Sequence, residues 1–224
     1  MSNTQNERRV NEMARMFDGY QAGTVAAKAT DIKAAGYEAV GLYLFRHSNY
    51  KEPLTRELAE KISAAGLYIV SVYEDGSPTS PGYFAAERGA IDGNAAELCA
   101  KKAGQPAGTP IYFTVDYDAA PGDLHAITAY FAEITRIWKS VSSPYTIGVY
   151  GSGAVCHRLL TAGMVSRCWL SQSRGFDGYE SFKDSGKANI VQGEVSRLFG
   201  MDVDLDETNG DAGGWKIEPV KATA

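Results

Sequence analysis

The chain has 224 residues, of which 22 are lysine or arginine and 27 aspartate or glutamate, for a formal charge of −5. Apolar residues make up 44% and charged residues 22%, the proportions of a folded globular protein rather than a disordered or fibrous one. The mild acidity argues against nucleic acid as a partner, and no apolar run approaches the roughly 20 residues that cross a bilayer.

In chain order, the segment MARMFDGYQ reads as a first strand. Residues 24–35 read as a helix stopped by Gly36, and YEAVGLYLF follows as a strand. Residues 54–65 repeat the unit: a helix, Gly66, then the strand LYIVSVY. Glycine suits these helix ends because the terminating residue takes a left-handed conformation. A third helix over roughly 83–102 stops at Gly104, and Pro110 opens the strand IYFTVDYD. The helix after Pro121 leads to the strand YTIGVYGS, and a short helix over 152–162 leads to SRCWLSQS. ANIVQGE and MDVDLDE close the series as two short strands.

About eight strands alternating with helices imply βαβ units and a parallel sheet. VGLYLF, LYIVSVY and IYFTV are almost continuously apolar, as strands covered on both faces are. An open doubly wound sheet and a closed barrel both satisfy this pattern. Eight strands favour an α/β fold of the compact (β/α)8 type, a TIM-like barrel. With 224 residues for eight units, the later helices are expected to be short or missing. No composition break divides the chain. One domain is therefore expected over residues 1–224, with a core of about 16–208, a polar N-terminal leader and a C-terminal tail. The last residues, about 214–224, are expected to be poorly ordered.

The acids cluster at strand ends. Asp18 ends the first strand, Glu74 and Asp75 the third, and Asp116 and Asp118 the fourth, while Asp202, Asp204 and Asp206 lie on the last. Tyr150 ends the fifth strand, Gln172 follows the sixth and Gln192 ends the seventh. That edge carries the active site in both candidate architectures. Carboxylates also follow strands simply to cap the next helix, and Asp75 and Asp123 are read that way. Asp116 directly follows IYFTV and shares strand parity with Thr114 and Asp118, so Asp116 and Asp118 are expected to converge on one face. Two acids that close raise the pKa of one, which is the pairing that glycoside hydrolysis uses. Glu74 is an even choice between site and cap.

Other chemistries fit less well. DVDLDETNGDAG starts like a calcium loop but has Glu207 where glycine is needed and Gly213 where glutamate is needed. Asp116-Tyr117-Asp118 matches a metal–nucleotide D-x-D, yet no glycine-rich phosphate loop accompanies it. YGSGA at 150–154 is not a G-x-S-x-G elbow. His47, His125 and His157 show no ligand or triad spacing, and Cys99, Cys156 and Cys168 read as small buried hydrophobes. No metal and no cofactor is therefore expected. Aromatic residues support a sugar ligand, because their faces suit the apolar faces of pyranose rings. Tyr20 and Tyr150, beside loops, are the better candidates; Tyr43 and Trp169 are at least as well explained as barrel filling.

These motifs resemble a glycoside-hydrolase-like TIM-barrel family of bacterial domains of unknown function. The matching segments are FDGYQ, AAGYEAVGLYL, AAGLYIVSVYE, IYFTVDYDA, IGVYGSG, WLSQS and VDLDE, in family order over about 16–208. That family is in turn similar to the family 25 lysozymes, muramidases that cut peptidoglycan. There a first-strand aspartate, a D-x-E after the fourth strand and a last-strand V-D-L-N surround the scissile bond. The resemblance implies that Asp18 matches the first-strand acid, Asp116 the aspartate of D-x-E, Asp118 its glutamate, and Asp204 the last-strand aspartate. Asp118 stands where the family has glutamate, and Asp206 where it has asparagine.

The expected function is a lysozyme-like glycoside hydrolase acting on peptidoglycan or a related N-acetylated glycan, with a non-catalytic glycan-binding barrel as the alternative. Asp118 is the expected general acid, Glu74 its alternate, and Asp116 the stabiliser of the anomeric charge. Asp18, Tyr20, Tyr150, Gln172, Gln192 and Asp204 are the expected substrate contacts. The first sixteen residues lack the apolar segment of a secretory signal. A cytoplasmic location, or export to the wall by a signal-independent route, is expected. A phage-style lysis protein or a delivered antibacterial toxin with an immunity partner fits the second route.

Overall fold

A computed structural model describes residues 14–48 and 51–218; the expected polar leader, the residues from 1 to 13, lies outside them. Eight strands close into one barrel in sequence order. They are β1 (Ala14–Gly19), β2 (Ala39–Leu44), β3 (Tyr68–Tyr73), β4 (Pro110–Thr114), β5 (Thr146–Gly151), β6 (Arg167–Leu170), β7 (Ile190–Leu198) and β8 (Met201–Thr208). The connecting helices are α1 (Ala22–Ala34), α2 (Arg56–Ala64), α3 (Ala86–Ala103), α4 (Leu124–Ser140), α5 (Gly153–Thr161) and α6 (Tyr179–Asp184). Gly36, Gly66 and Gly104 all have positive φ after α1, α2 and α3, as the helix-stop reading requires.

The sheet departs from the expected all-parallel arrangement at one strand. β1 to β7 run parallel, but β8 is antiparallel to both β7 and β1. The cause is local. Leu198 pairs with Met201 across Phe199 and Gly200, which have φ of 52° and 84°. Two positive-φ residues make the tight turn that joins antiparallel strands, so a hairpin replaces the helical crossover. Phe199 then packs against Phe17 and Tyr37, with ring centroids 6.5 and 6.3 Å apart.

Strand alternation sorts the core into two layers. Met16, Ala39, Val70, Val72, Tyr112, Trp169 and Ile190 fill the barrel, while Phe17, Val40, Leu42, Ile69, Ile111 and Phe113 face the helices. Gly41 points inward, where an added Cβ would meet the Asp18 Cβ and the Trp169 ring at 2.7 Å. The absence of a side chain there lets Asp18 and Trp169 stand beside each other.

The C-terminal segment corrects the expectation of a loose tail, as far as it is described. Trp215 is 2% exposed, bridges Ile69 of β3 in antiparallel fashion and donates its indole N–H to Ser71 at 3.0 Å. Tyr112, inside the barrel, donates to the Ala212 carbonyl at 2.9 Å. This segment seals the end of the barrel opposite the acidic strand termini. No helix among the described residues is long and apolar enough to cross a membrane.

Candidate active site

The barrel opens at the C-terminal ends of its parallel strands into a cavity of about 170 Å³. Each strand contributes to its wall. β1 supplies Asp18, β2 Tyr43, and β3 Val72 followed by Glu74; β4 supplies Thr114 followed by Asp116, and β5 Tyr150. Trp169 comes from β6, with Gln172 and Ser173 after it, Gln192 from β7 and Asp204 from β8. The antiparallel β8 places Asp204 directly opposite Asp18, so two acids of different strands share one stretch of wall.

Hydrogen bonds set the geometry of this wall. Tyr43 donates to Asp18 Oδ1 at 3.0 Å and Gln192 Nε2 donates to Oδ2 at 2.9 Å. The Gln192 amide cannot be reversed, because its Oε1 accepts from the Tyr150 hydroxyl at 2.8 Å and the Gln172 backbone N–H at 3.3 Å. Gln172 Nε2 reaches Asp204 at 3.5 Å. Glu74 is held differently: buried Lys51 donates from its ammonium to both the Glu74 carboxylate and its carbonyl. Beneath the cavity, Trp169 Nε1 donates to Oδ1 of buried Asp206 at 2.9 Å.

This acidic wall is short of counter-charge, and its acids respond. Burial, then the charge of Asp204, pushes Asp18 up from 3.8 to about 7, against the bonds from Gln192 and Tyr43. Asp116 sits at the exposed rim, where partial desolvation and then Asp204 raise it, while Lys51 pulls it down. Burial also raises Asp204, with Gln172 opposing. Carboxyls poised to hold a proton nearer neutrality are what acid–base chemistry needs.

Seven of the residues singled out in the sequence therefore meet here: Asp18, Glu74, Asp116, Tyr150, Gln172, Gln192 and Asp204. Asp118 does not line this wall. β4 ends at Thr114, the Asp116 N–H turns to the Pro78 carbonyl, and the alternation that would align Asp118 with Asp116 no longer applies. Exposed Asp118 instead accepts the Asp177 backbone N–H at 2.7 Å, tying its loop to the one before α6. The pair that shares parity on the cavity wall is Thr114 and Asp116. Tyr20 also stands off the wall, half-buried, with its carbonyl accepting from the Glu52 N–H.

Asp75 is no helix cap. Its carboxylate accepts backbone N–H bonds from Arg46 and His47 at 2.8 and 3.1 Å and guanidinium bonds from Arg46 and Arg88. Burial pushes it up, but the His47 and Arg46 bonds outweigh that and hold it below the usual carboxylate range. Asp123 does precede α4, yet it makes no side-chain cap and accepts instead from the Ala120 N–H at 3.1 Å.

Tyr43 and Trp169 both fill the barrel and line the cavity. Inward parity after Gly41 was the available signal for Tyr43, whereas nothing in the sequence pointed to Lys51. Among the described residues, no group of three or more His, Cys, Asp or Glu could hold a metal ion.

The structure is thus a closed α/β barrel of the TIM-like class with acids gathered at one mouth. The chain belongs to the Rv2525c-like, glycoside hydrolase-like domain family, whose model matches residues 30–207. It is 36% identical over 212 residues to the uncharacterized protein YbfG of Bacillus subtilis, covering 87% of this chain and 29% of that protein. The Tat-secreted protein Rv2525c of Mycobacterium tuberculosis, crystallised with L-tartrate, superposes with a TM-score of 0.74 at 24% identity, over 91% of this chain and 100% of that one. A muramidase from Acremonium alcalophilum superposes with a TM-score of 0.54 at 13% identity, over 89% and 95%; these two likenesses are of fold. The chain spans less than a third of the curated relative's length.

Proposed function

We propose that this domain is a lysozyme-like glycoside hydrolase acting on peptidoglycan or a related N-acetylated glycan. The observation that carries the reading is Asp116, raised by desolvation and Asp204 at the rim of a cavity walled by Asp18, Asp204 and two tyrosines. In this reading Asp116 is the general acid and protonates the leaving glycosidic oxygen. Asp204 keeps that proton in place through its charge and, with Asp18, faces the positive charge that grows at the anomeric carbon.

In this reading Asp116 takes the role that the resemblance gave to Asp118, because Asp116 lines the cavity beside Thr114 and Asp118 does not. Glu74 is the weaker candidate for the acid, because its carboxylate is already engaged by the buried Lys51 ammonium. Tyr43 and Tyr150 spend their hydroxyls on Asp18 and Gln192, which leaves ring surface for a pyranose face. Among the described residues, the lining carries the four carboxyls of Asp18, Glu74, Asp116 and Asp204 and no lysine or arginine, and the Lys51 ammonium is engaged with Glu74. Such a wall suits a ligand rich in hydroxyl and amide donors rather than a phosphate.

The second reading, a glycan-binding barrel without hydrolysis, is favoured by one observation: beside Asp116, β4 contributes Thr114 and not a second carboxylate to the cavity wall. Incubating the protein with insoluble peptidoglycan and reading soluble fragments by mass spectrometry separates the two. Release that Asp116→Asn abolishes supports the hydrolase; binding without release supports the second reading.

A further inference from the structure

The donors around Asp206 do not add up. Its side chain lies under the cavity floor, 3% exposed, and directly opposite Gln192 on β7 and Met16 on β1. Oδ1 accepts the Trp169 indole N–H at 2.9 Å. Oδ2 is buried and receives no donor among the described residues, although it stands in hydrogen-bonding reach of the Asp18 carboxylate. Met16 offers nothing, and the Gln192 amide is committed to Asp18. An unsatisfied buried carboxylate oxygen beside a second carboxylate is costly on both counts. One proton removes both costs, because it turns an orphan acceptor into a donor.

We infer that Asp206 is a neutral carboxylic acid at neutral pH that donates its O–H to the Asp18 carboxylate, and so acts as a positioning residue for the site. The proton rests on Asp206 rather than Asp18 for a structural reason. Asp18 already accepts from Tyr43 and Gln192 and opens onto the cavity, so it is the better-solvated anion. Asp206 has one indole donor and no opening. Burial, with the charges of Asp18 and Asp204 adding to it, raises Asp206 well above the ordinary carboxylate range. Among the described residues, the other ionisable groups acting on the pair are Tyr43 on β2, Glu74 after β3, Tyr150 on β5 and Asp204 on β8. None is a cation that would draw the proton off Asp206. With the Asp206 hydroxyl in place, Asp18 is held by three donors from three strands. Its rotamer is then fixed before any ligand arrives.

This inference goes beyond the glycan reading, and its test needs no glycan. The side-chain carboxyls of Asp18 and Asp206 are followed by heteronuclear NMR across a pH titration of the ligand-free protein. Asp206 is expected to report a protonated carboxyl at neutral pH. Asp206→Asn supplies a neutral N–H donor at the same place and is expected to leave the Asp18 midpoint where it is. Asp206→Leu removes the donor and is expected to raise that midpoint. An ionised Asp206 at neutral pH would overturn the inference. So would a fall of the Asp18 midpoint in Asp206→Asn, since that would mean a negative charge had been removed. If the variants do not fold, the protonation state of Asp206 in the wild-type protein decides alone.

Discussion

Two clusters of acids sit on neighbouring sides of this barrel, and they are built on opposite principles. Outside the barrel wall, Asp92 of α3 is fully buried and accepts from the hydroxyls of Tyr73, Tyr83 and Tyr130 and from Arg88. Asp75, beside it, shares Arg88 and adds Arg46. Every carboxylate there has its donors, and the network ties α3 and α4 to the loop after β3. At the barrel mouth, Asp18, Asp116 and Asp204 crowd one cavity while its ammonium, on Lys51, is engaged with Glu74. Burial pushes all three up, and the charge of Asp204 adds to it at Asp18 and Asp116. Acids that hold a scaffold together are paired; acids available for chemistry are left competing for protons.

The comparison breaks most sharply at Asp116. Asp116→Asn is expected to reduce glycan hydrolysis by about a thousandfold, the scale of a lost general acid, with thermal stability unchanged in calorimetry. Asp92→Asn is expected to do the reverse. Removing one partner of a buried charged network costs about 3 kcal/mol, which lowers Tm by roughly 10 °C in a domain of this size; hydrolysis by the remaining folded protein should persist. Gly41→Ala is smaller. Its methyl group would meet Asp18 and Trp169 at 2.7 Å, and such overpacking costs about 1–3 kcal/mol. Because the strain falls on Asp18, ligand affinity measured by calorimetry should weaken along with Tm.

The pH dependence carries the clearest sign. Asp18 rises from 3.8 to about 7 on folding. Its contribution to stability is therefore full below its ordinary value and is lost as pH climbs through about 7. Asp75 is depressed, so its contribution is present above the ordinary carboxylate range and is lost as pH falls through its folded value. Tm measured against pH should show both slopes. Asp18→Asn should flatten the loss toward neutrality and leave the acid limb, while Asp75→Asn should do the opposite.

Most of the architecture was legible because it is written in local signals. Helix, glycine and apolar strand recur at Gly36, Gly66 and Gly104, and each glycine takes the left-handed conformation that the reading assigned to it. What escaped was set by single turns or long-range contacts. The reversal of β8 hangs on Phe199 and Gly200, and a Phe-Gly pair is a weak hairpin signal beside Asn-Gly. The docking of Trp215 depends on Ile69 and Ser71, more than a hundred positions away in sequence. At the site, counting strand parity from Thr114 to Asp116 worked, since both line the cavity. Carrying it on to Asp118 failed because β4 ends at Thr114. Asp75 and Asp18 looked alike as strand-end acids; only their partners, two arginines against one glutamine and one tyrosine, separate them.

The most direct test of the account is a side-by-side assay of Asp116→Asn and Asp118→Asn on insoluble peptidoglycan, with soluble fragments counted by mass spectrometry and binding measured by pull-down. The account predicts that Asp116→Asn still binds but releases almost nothing, while Asp118→Asn releases fragments at close to the wild-type rate. Full release by Asp116→Asn, with release lost in Asp118→Asn, would contradict it.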